Sequence, residues 1–319
     1  MSKNIELSNL VKLSNEDFAN LSWQIFMSSC KDDDWILFPY LQKVDTALSA
    51  TTLDRKCYIY DPNPLAKMLY EAHFFYPSLN GIRNRLREIP IYDNCPNTPI
   101  KKYFNDYVYH QIVSLKLYLQ KNQHDPTNMW IANLCALAIK EYLKREKERK
   151  NENTQEETQE CEDRFNVKGY IVEAYKHIYS NLDIDRVLIS HFCRPTFEQN
   201  PNNLDSIIKN GTISLAYYSP YELDITKYHK KNIFSMWLYG IQSDTLKMAF
   251  PKDKQEWNHR CKKDFDYIHK KLKSSGLILV DKNPNDIPKF MQMATIYGYK
   301  NIRSFVNEED KTCFLLKKL

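Results

Sequence analysis

The spacing of apolar residues is mainly helical through the first 145 residues. Ser14 and Asp17 form a capping pair, and apolar residues follow them at intervals of three and four. Pro64 suits the first turn of a second helix. Similar spacing recurs downstream, and we predict helices at residues 14–25, 64–75, 103–119 and 129–143. Residues 1–145 are therefore predicted to form a helical domain.

The pattern changes near residue 167, where short apolar runs of strand length begin to alternate with helical segments. The runs predict strands at residues 186–190, 212–218, 277–280, 301–306 and 312–316. Helices are predicted at 167–180, 203–209, 254–273 and 286–297. Strands that alternate with helices usually pair in parallel. We therefore predict an α+β chain of two domains, in which the helical domain is followed by an α/β domain at residues 167–319.

A charged segment separates the two predicted domains. Residues 144–162 contain no aromatic or branched apolar side chain, and their charge changes from basic to acidic along the segment. Such a stretch buries too little apolar surface to offset the entropy of ordering it. We predict a charged flexible linker at residues 146–166.

Composition narrows the class of protein. With 319 residues, 43% of them hydrophobic and 27% charged, the chain falls among soluble globular proteins long enough for two domains. The eight cysteines never form a C-x-x-C pair, which favours reduced and mostly buried thiols. The chain starts without a secretory signal pattern and has no apolar run near 18 residues. We expect an intracellular protein, cytoplasmic or nuclear, that is neither secreted nor bound to a membrane.

The net charge of +5 is concentrated in one segment. Residues 227–273 contain 12 Lys and Arg against 5 acids, with aromatic residues interleaved. Basic side chains beside aromatic ones are typical of single-stranded nucleic-acid binding, although a protein partner would use the same residue types and a solvated helix face has a similar charge pattern. The candidate contacts are Lys230, Lys231, Lys252, Lys254, Arg260, Lys262, Lys263, Lys270, Lys271, Lys273, Trp237 and Trp257. This segment is predicted to bind nucleic acid or a protein.

The stretch from Lys262 to Leu319 resembles the last part of a Rossmann-like S-adenosylmethionine-dependent methyltransferase. It reads as a helix, the glycine-led strand Ser274–Asp281, a helix, and a strand pair joined by a turn at 307–310. The resemblance implies a Rossmann-like fold, a glycine loop after the first strand, and an acid that holds the cofactor ribose. At the predicted first strand, residues 186–195 contain no glycine, and the whole chain has 6 where average usage gives about 22. Glu222 and Asp224 are the candidate acids, and we predict no bound cofactor, with S-adenosylmethionine as the alternative.

Three other patterns suggest chemistry. His191 and Cys193 have the residue types of a zinc site, but ordinary buried thiols and surface histidines account for them equally well. Arg186 and His191 have the spacing found in helical ribonucleases of the HEPN type, although they lie in or beside a predicted strand. The stretch from His191 to Thr212 loosely resembles the opening of ADP-ribosyltransferase folds, and a capped structural helix is the alternative reading.

These patterns favour a non-catalytic, methyltransferase-like binding or scaffolding subunit, associated with nucleic acid or part of a protein complex. The alternative is a diverged transferase, either a nucleic-acid methyltransferase or an ADP-ribosyltransferase. The bias toward Lys, Asn, Ile and Tyr suggests an AT-rich genome, such as that of a virus.

Overall fold

The computed structural model divides the chain into two compact units. It describes residues 11–13, 24–25, 28, 30–31, 34–41, 44–51, 53, 55–122, 125–152, 165–180, 194–221, 223, 225–282, 287–307 and 312–319. The first unit, here called the sheet unit, comprises residues 1–70, 188–226 and 244–319. The second, here called the helical unit, comprises residues 71–187 and 227–243. Each unit is thus built from separate stretches of the chain.

The sheet unit contains a mixed sheet of eight described strands in the order β1-β7-β8-β6-β5-β2-β3-β4. The strands are β1 (Val11–Leu13), β2 (Trp35–Pro39), β3 (Lys56–Tyr60), β4 (Thr196–Glu198), β5 (Ile213–Tyr218), β6 (Leu272–Lys282), β7 (Tyr299–Asn307) and β8 (Thr312–Lys318). Five neighbouring strands, from β6 to β4, are parallel, whereas β8 runs antiparallel to both β6 and β7. The fold of this unit is therefore α/β with a mostly parallel sheet.

The central strands are buried along almost their whole length, which indicates that both faces of the sheet are covered. Every residue of β5 is buried, and so are the last four residues of β2. Continuous apolar runs of this kind are typical of parallel strands between two helical layers. Leu37 pairs with Tyr58 on one side and Ala216 on the other, which fixes β2 in the middle of the sheet.

The helices of the sheet unit include one long helix that supplies much of the core. They are α1 (Val44–Thr51), most of α2 (Pro64–His73), α7 (Pro201–Leu204), α9 (Ser243–Ala249), α10 (Lys254–Lys271) and α11 (Ile287–Ile296). Helix α10 begins at Asp253, whose carboxylate accepts the Glu256 N–H at 2.8 Å. Its apolar stripe of Trp257, Cys261, Phe265 and Ile268 is buried.

The helical unit packs its helices around a separate core. Its helices are α3 (Leu79–Glu88), α4 (Asp106–Lys121), α5 (Pro126–Glu152), α6 (Val167–Ser180) and most of α8 (Ile225–Tyr239), with a 3₁₀ helix at Lys101–Tyr103. Asn105 caps α4 by accepting the Val108 N–H at 2.9 Å. The hydroxyl of Tyr239 donates to the Met129 carbonyl at 3.0 Å and so ties α8 to α5.

Most of the helices and strands predicted from the sequence are confirmed. The predicted helices at 64–75, 103–119, 129–143, 167–180, 254–273 and 286–297 correspond to α2, α4, α5, α6, α10 and α11. The predicted strands at 212–218, 277–280, 301–306 and 312–316 correspond to β5, β6, β7 and β8, whereas the strand predicted at 186–190 lies outside the described residues. Of the helix predicted at 14–25, residues 14–23 lie outside the described residues, and residues 24–25 are helical.

Three predictions need correction. Residues 1–145 are not wholly helical, because β1, β2 and β3 lie among them and belong to the sheet. The helix predicted at 203–209 is the short α7, which ends at Leu204 and gives way to turns. In the predicted linker at 146–166, residues 146–152 continue α5, and residues 153–164 lie outside the described part of the chain.

Two sequence expectations concern burial. Cys30, Cys57, Cys135, Cys261 and Cys313 are buried, as predicted, whereas Cys95 is half-buried and Cys161 and Cys193 lie outside the described residues. Among the described residues, no helix has the length and apolar character needed to span a bilayer.

Candidate functional site

The order of the parallel strands places a topological switch point between β2 and β5. From β2 the chain proceeds outward to β3 and β4, and from β5 it proceeds in the opposite direction to β6. In open α/β sheets, ligands bind outside the carboxyl ends of the strands that flank such a point. The residues that follow these strands are Tyr40 and Leu41 after β2, Asp61 after β3, and Ser219, Pro220 and Tyr221 after β5. They form the candidate functional site.

Asp61 is completely buried at this site and bonded on both carboxylate oxygens. Its Oδ2 accepts the Leu41 N–H at 2.7 Å and the Tyr221 hydroxyl at 2.8 Å, and its Oδ1 accepts the Asn63 N–H at 2.9 Å. The Asn63 side-chain amide also donates to the Tyr221 hydroxyl, at 3.0 Å. Burial raises the pKa of Asp61 to about 7 in spite of these hydrogen bonds, which lower it. The carboxyl group therefore joins the loops after β2, β3 and β5.

A second buried carboxylate, Asp264 of α10, lies against the same strand ends. The hydroxyls of Tyr40 and Tyr218 donate to its Oδ2 at 2.8 and 3.0 Å, and the hydroxyl of Tyr60 donates to its Oδ1 at 3.0 Å. Burial raises the pKa of Asp264 to about 6, and the three tyrosine hydrogen bonds lower it. Burial and the neighbouring carboxylate hold the pKa values of the three phenols well above 10. The phenols thus solvate the carboxylate within the protein.

Tyr40 fills the place directly after β2. Its backbone has a φ of +71°, a left-handed conformation that favours glycine. Its ring is buried and lies 5.7, 6.2 and 5.5 Å, centroid to centroid, from the rings of Tyr60, Tyr218 and Tyr221. Packing of this kind can compensate for the backbone conformation. The left-handed turn is present, but a large side chain occupies the space that a glycine would leave open.

The cavity next to these residues is too small for an organic ligand. It is bordered by Tyr40, Pro220, Tyr221, Trp257 and Asp264 and measures about 10 Å³. One water molecule needs about 10–15 Å³, and ligand pockets usually have volumes of roughly 300–1,000 Å³. Among the described residues, the space directly after β2 and β5 is therefore filled by the protein's own side chains.

The predicted cofactor acids do not contribute to this description, because Glu222 and Asp224 lie outside the described residues. Asp61, which the sequence prediction missed, is the acid that follows a strand at the switch point. The signal for it was present, since Asp61 directly follows the apolar run Cys57–Tyr60. It was not used because that run was included in the predicted helical domain.

The basic segment at 227–273 does not belong to a single unit. Lys230, Lys231 and Trp237 lie in the helical unit, where the ammonium group of Lys116 is 4.1 Å from the centroid of the Trp237 ring. The remaining candidates lie in the sheet unit, and those that are exposed are Lys252, Lys254, Lys262, Lys263 and Lys270. The charge is thus distributed over two separate units.

Several predicted nucleic-acid contacts have structural roles instead. Trp257 is 3% exposed and its indole N–H donates to the Tyr221 carbonyl at 3.0 Å, so it cannot stack on a base. Arg260 is half-buried and forms an ion pair with Glu256 at 2.6 Å. The amino group of Lys273 forms an ion pair with Asp34 at 3.4 Å.

Lys271 is also structural. Its side chain is 5% exposed, and its amino group forms an ion pair with Asp205 at 2.7 Å and donates to the Ile208 carbonyl at 2.6 Å. The nucleic-acid prediction is therefore wrong for Trp257 and Lys271, because their polar groups bond within the protein and are shielded from solvent.

The other chemical candidates remain predictions. Arg186, His191 and Cys193 lie outside the described residues. Within the described ranges, no group of three or more His, Cys, Asp and Glu residues is arranged to hold a metal ion. His259 and Cys261 on α10 have the same spacing as His191 and Cys193. His259 is exposed and Cys261 is buried, so these two residues lie on different faces of the helix.

Comparison with known proteins gave no relative: no protein-family model, curated protein or solved structure matched this chain.

Proposed function

We propose that this chain is a non-catalytic, methyltransferase-like binding or scaffolding subunit. Support for the methyltransferase likeness comes from the end of the sheet. Strand β6 contains Gly276, helix α11 follows it, and β7 and β8 form the antiparallel pair that the sequence resemblance implies. The parallel order on either side of the switch point is that of a doubly wound, Rossmann-like sheet.

The observation that carries the proposal is the filled space directly after β2 and β5. S-adenosylmethionine would need backbone approach after β2, room at the strand ends and an acid for its ribose. Tyr40 occupies the first position, the cavity measures about 10 Å³, and both oxygens of Asp61 accept hydrogen bonds from the protein. The described residues at the switch point do not fit the cofactor. We therefore infer that this Rossmann-like domain binds no cofactor and serves as a binding surface.

The proposed partner is nucleic acid, with a protein complex as the other outcome. Five exposed lysines remain in the part of the basic segment that belongs to the sheet unit: Lys252, Lys254, Lys262, Lys263 and Lys270. Exposed lysines of one sign attract phosphate-bearing chains. The helical unit contributes Lys230 and Lys231 separately.

Ligand-dependent thermal unfolding tests the proposal. The full chain is heated with S-adenosylmethionine, with its demethylated product and with NAD, each at millimolar concentration. We expect none of the three ligands to change the midpoint of thermal unfolding. Binding would be detected, because a ligand present at 100 times its Kd would add about 2.7 kcal/mol to the stability of the folded state.

Stabilisation by either methyltransferase ligand would overturn the non-catalytic proposal in favour of a diverged methyltransferase. Stabilisation by NAD would overturn it in favour of an ADP-ribosyltransferase. Equilibrium dialysis with radiolabelled S-adenosylmethionine provides a second readout that does not depend on unfolding.

A further inference from the structure

A groove in the sheet unit lies beside the carboxyl ends of β3 and β4. One wall is the segment that follows β4, from Asn200 to Asn210, and the other is the second half of α10, from Lys263 to Lys271. Tyr60, the last residue of β3, lies at its base. Its volume is about 760 Å³, which is within the usual range for ligand pockets. Unlike the switch point, this groove has room for a ligand.

The three acids that line the groove bond to groups of the protein. Asp205 forms the ion pair with Lys271, Asp264 accepts hydrogen bonds from three tyrosines, and Asp266 accepts a hydrogen bond from the Tyr297 hydroxyl. An acid that is already bonded in this way competes less for an external cation or donor. The acids therefore serve mainly to organise the walls.

The two exposed lysines of the groove are different. Within the described part of the chain, the amino groups of Lys263 and Lys270 make no ion pair and no hydrogen bond. The two residues are seven positions apart on α10, which places them on the same face at a separation of about 10 Å along the helix axis. Two unpaired cations at this spacing suit two phosphates of one chain better than a single phosphate.

The opposite wall offers groups that can recognise a base. Asn202 and Asn210 are exposed, and their side-chain amides make no hydrogen bond to any described residue. An asparagine amide presents both a donor and an acceptor, which is what the edge of an unpaired base requires. The half-buried ring of Tyr267 belongs to the α10 wall, and its hydroxyl donates to the Pro201 carbonyl of the opposite wall at 3.3 Å.

We propose that this groove binds single-stranded nucleic acid, with Lys263 and Lys270 on successive phosphates and the asparagine amides on a base beside Tyr267. An acidic peptide would also use the lysines, and it is the two unbonded amides beside an aromatic ring that favour a nucleobase. This inference rests on the nucleic-acid association in the proposed function, and it names the surface that would bind the nucleic acid. It does not depend on the switch point. Stabilisation by S-adenosylmethionine or NAD would therefore overturn the non-catalytic proposal without overturning this inference.

Fluorescence anisotropy with a fluorescein-labelled 12-nucleotide oligo(U) RNA, and with the matching oligo(dT), tests the groove. The variant is the double change Lys263→Gln with Lys270→Gln, and the matched control is Lys300→Gln with Lys317→Gln, two exposed lysines paired across β7 and β8 of the same unit that neither line the groove nor belong to the basic segment. We expect the groove variant to bind about tenfold more weakly at low salt. The slope of log K against log salt should decrease in magnitude by about 1.4, since each phosphate contact on a single strand contributes about 0.7.

The control pair removes the same net charge and should change both quantities much less. Equal losses in the two variants would overturn the proposal, because only the overall charge would then matter. Unchanged affinity in the groove variant would also overturn it, as would failure of the natural protein to bind either oligonucleotide or equally tight binding of a 12-base-pair duplex. Urea unfolding of both variants verifies that they are folded, as expected for substitutions of exposed lysines.

Discussion

The carboxyl group of Asp264 should make the stability of the sheet unit decrease as the pH rises from about 4 to about 6. Burial raises its pKa from the usual 3.8 to about 6. Between these two values the folded protein binds a proton that the unfolded chain releases, and the free energy of unfolding therefore falls with rising pH. The interval of about 2 pH units corresponds to about 3 kcal/mol, at roughly 1.4 kcal/mol for each pH unit.

The Asp264→Asn variant isolates this contribution. Asparagine has nearly the same size and its carbonyl oxygen accepts hydrogen bonds, but it does not titrate. Compared with the natural protein, the variant should gain about 3 kcal/mol of relative stability between about pH 4 and pH 7. Burial also raises the pKa of Asp61, to about 7, but this group titrates in both proteins and cancels in the difference.

Urea unfolding at several pH values between 4 and 8 measures the difference. Trp257 lies on the same helix as Asp264 and contributes to the change in tryptophan fluorescence when the sheet unit unfolds. The control is Asp93→Asn, which changes an exposed carboxylate. A stability difference between Asp264→Asn and the natural protein that is the same at pH 4 and pH 7 would refute the reasoning.

Further substitutions test individual contacts and backbone conformations. Lys271→Met should reduce the free energy of unfolding by about 1–3 kcal/mol, because it removes the ion pair with Asp205 and a buried hydrogen bond to the Ile208 carbonyl. The same change at the exposed Lys270 should leave the free energy of unfolding nearly unchanged. Urea titration of both variants measures the difference. Gly240→Ala and Gly298→Ala should each lower the thermal midpoint, because both glycines have a positive φ, +69° and +75°, that an L side chain rarely adopts. An added Cβ at Gly240 would also approach Gln120 Nε2 to 2.6 Å, but that atom is the end of a flexible side chain and can move aside. An unchanged midpoint in either variant would contradict the argument from backbone conformation.

The sequence predicted the second half of the fold well because its signals are local. The helix of residues 254–271 has a clear apolar stripe, and strands β6 to β8 follow one another with short connections. Strands β2 and β3 were missed because each is a five-residue run buried on nearly every position. Without alternation, such a run cannot be distinguished from part of a buried helix.

The candidate site was missed for the same reason. Asp61 can be recognised as a site residue only when β3 is known to end beside β2. The three tyrosines that donate hydrogen bonds to Asp264 come from positions 40, 60 and 218. Contacts between residues 46 to 224 positions apart leave no local pattern. The argument from missing glycines concerned residues 186–195, most of which lie outside the described residues, so it stays a prediction. The left-handed backbone of Tyr40 after β2 is a separate observation.

The central position of β2 has a consequence for the order of events during synthesis. Its neighbour β3 follows within about 20 residues, but its other neighbour, β5, begins at Ile213. At roughly 5–20 residues per second, the ribosome needs about 10–35 seconds to add the 174 residues that separate Pro39 from Ile213. During that time an apolar strand with one unpaired edge is available for incorrect pairing. Correct folding therefore requires that residues 35–39 be protected from incorrect pairing early in synthesis, whatever partner the finished protein binds.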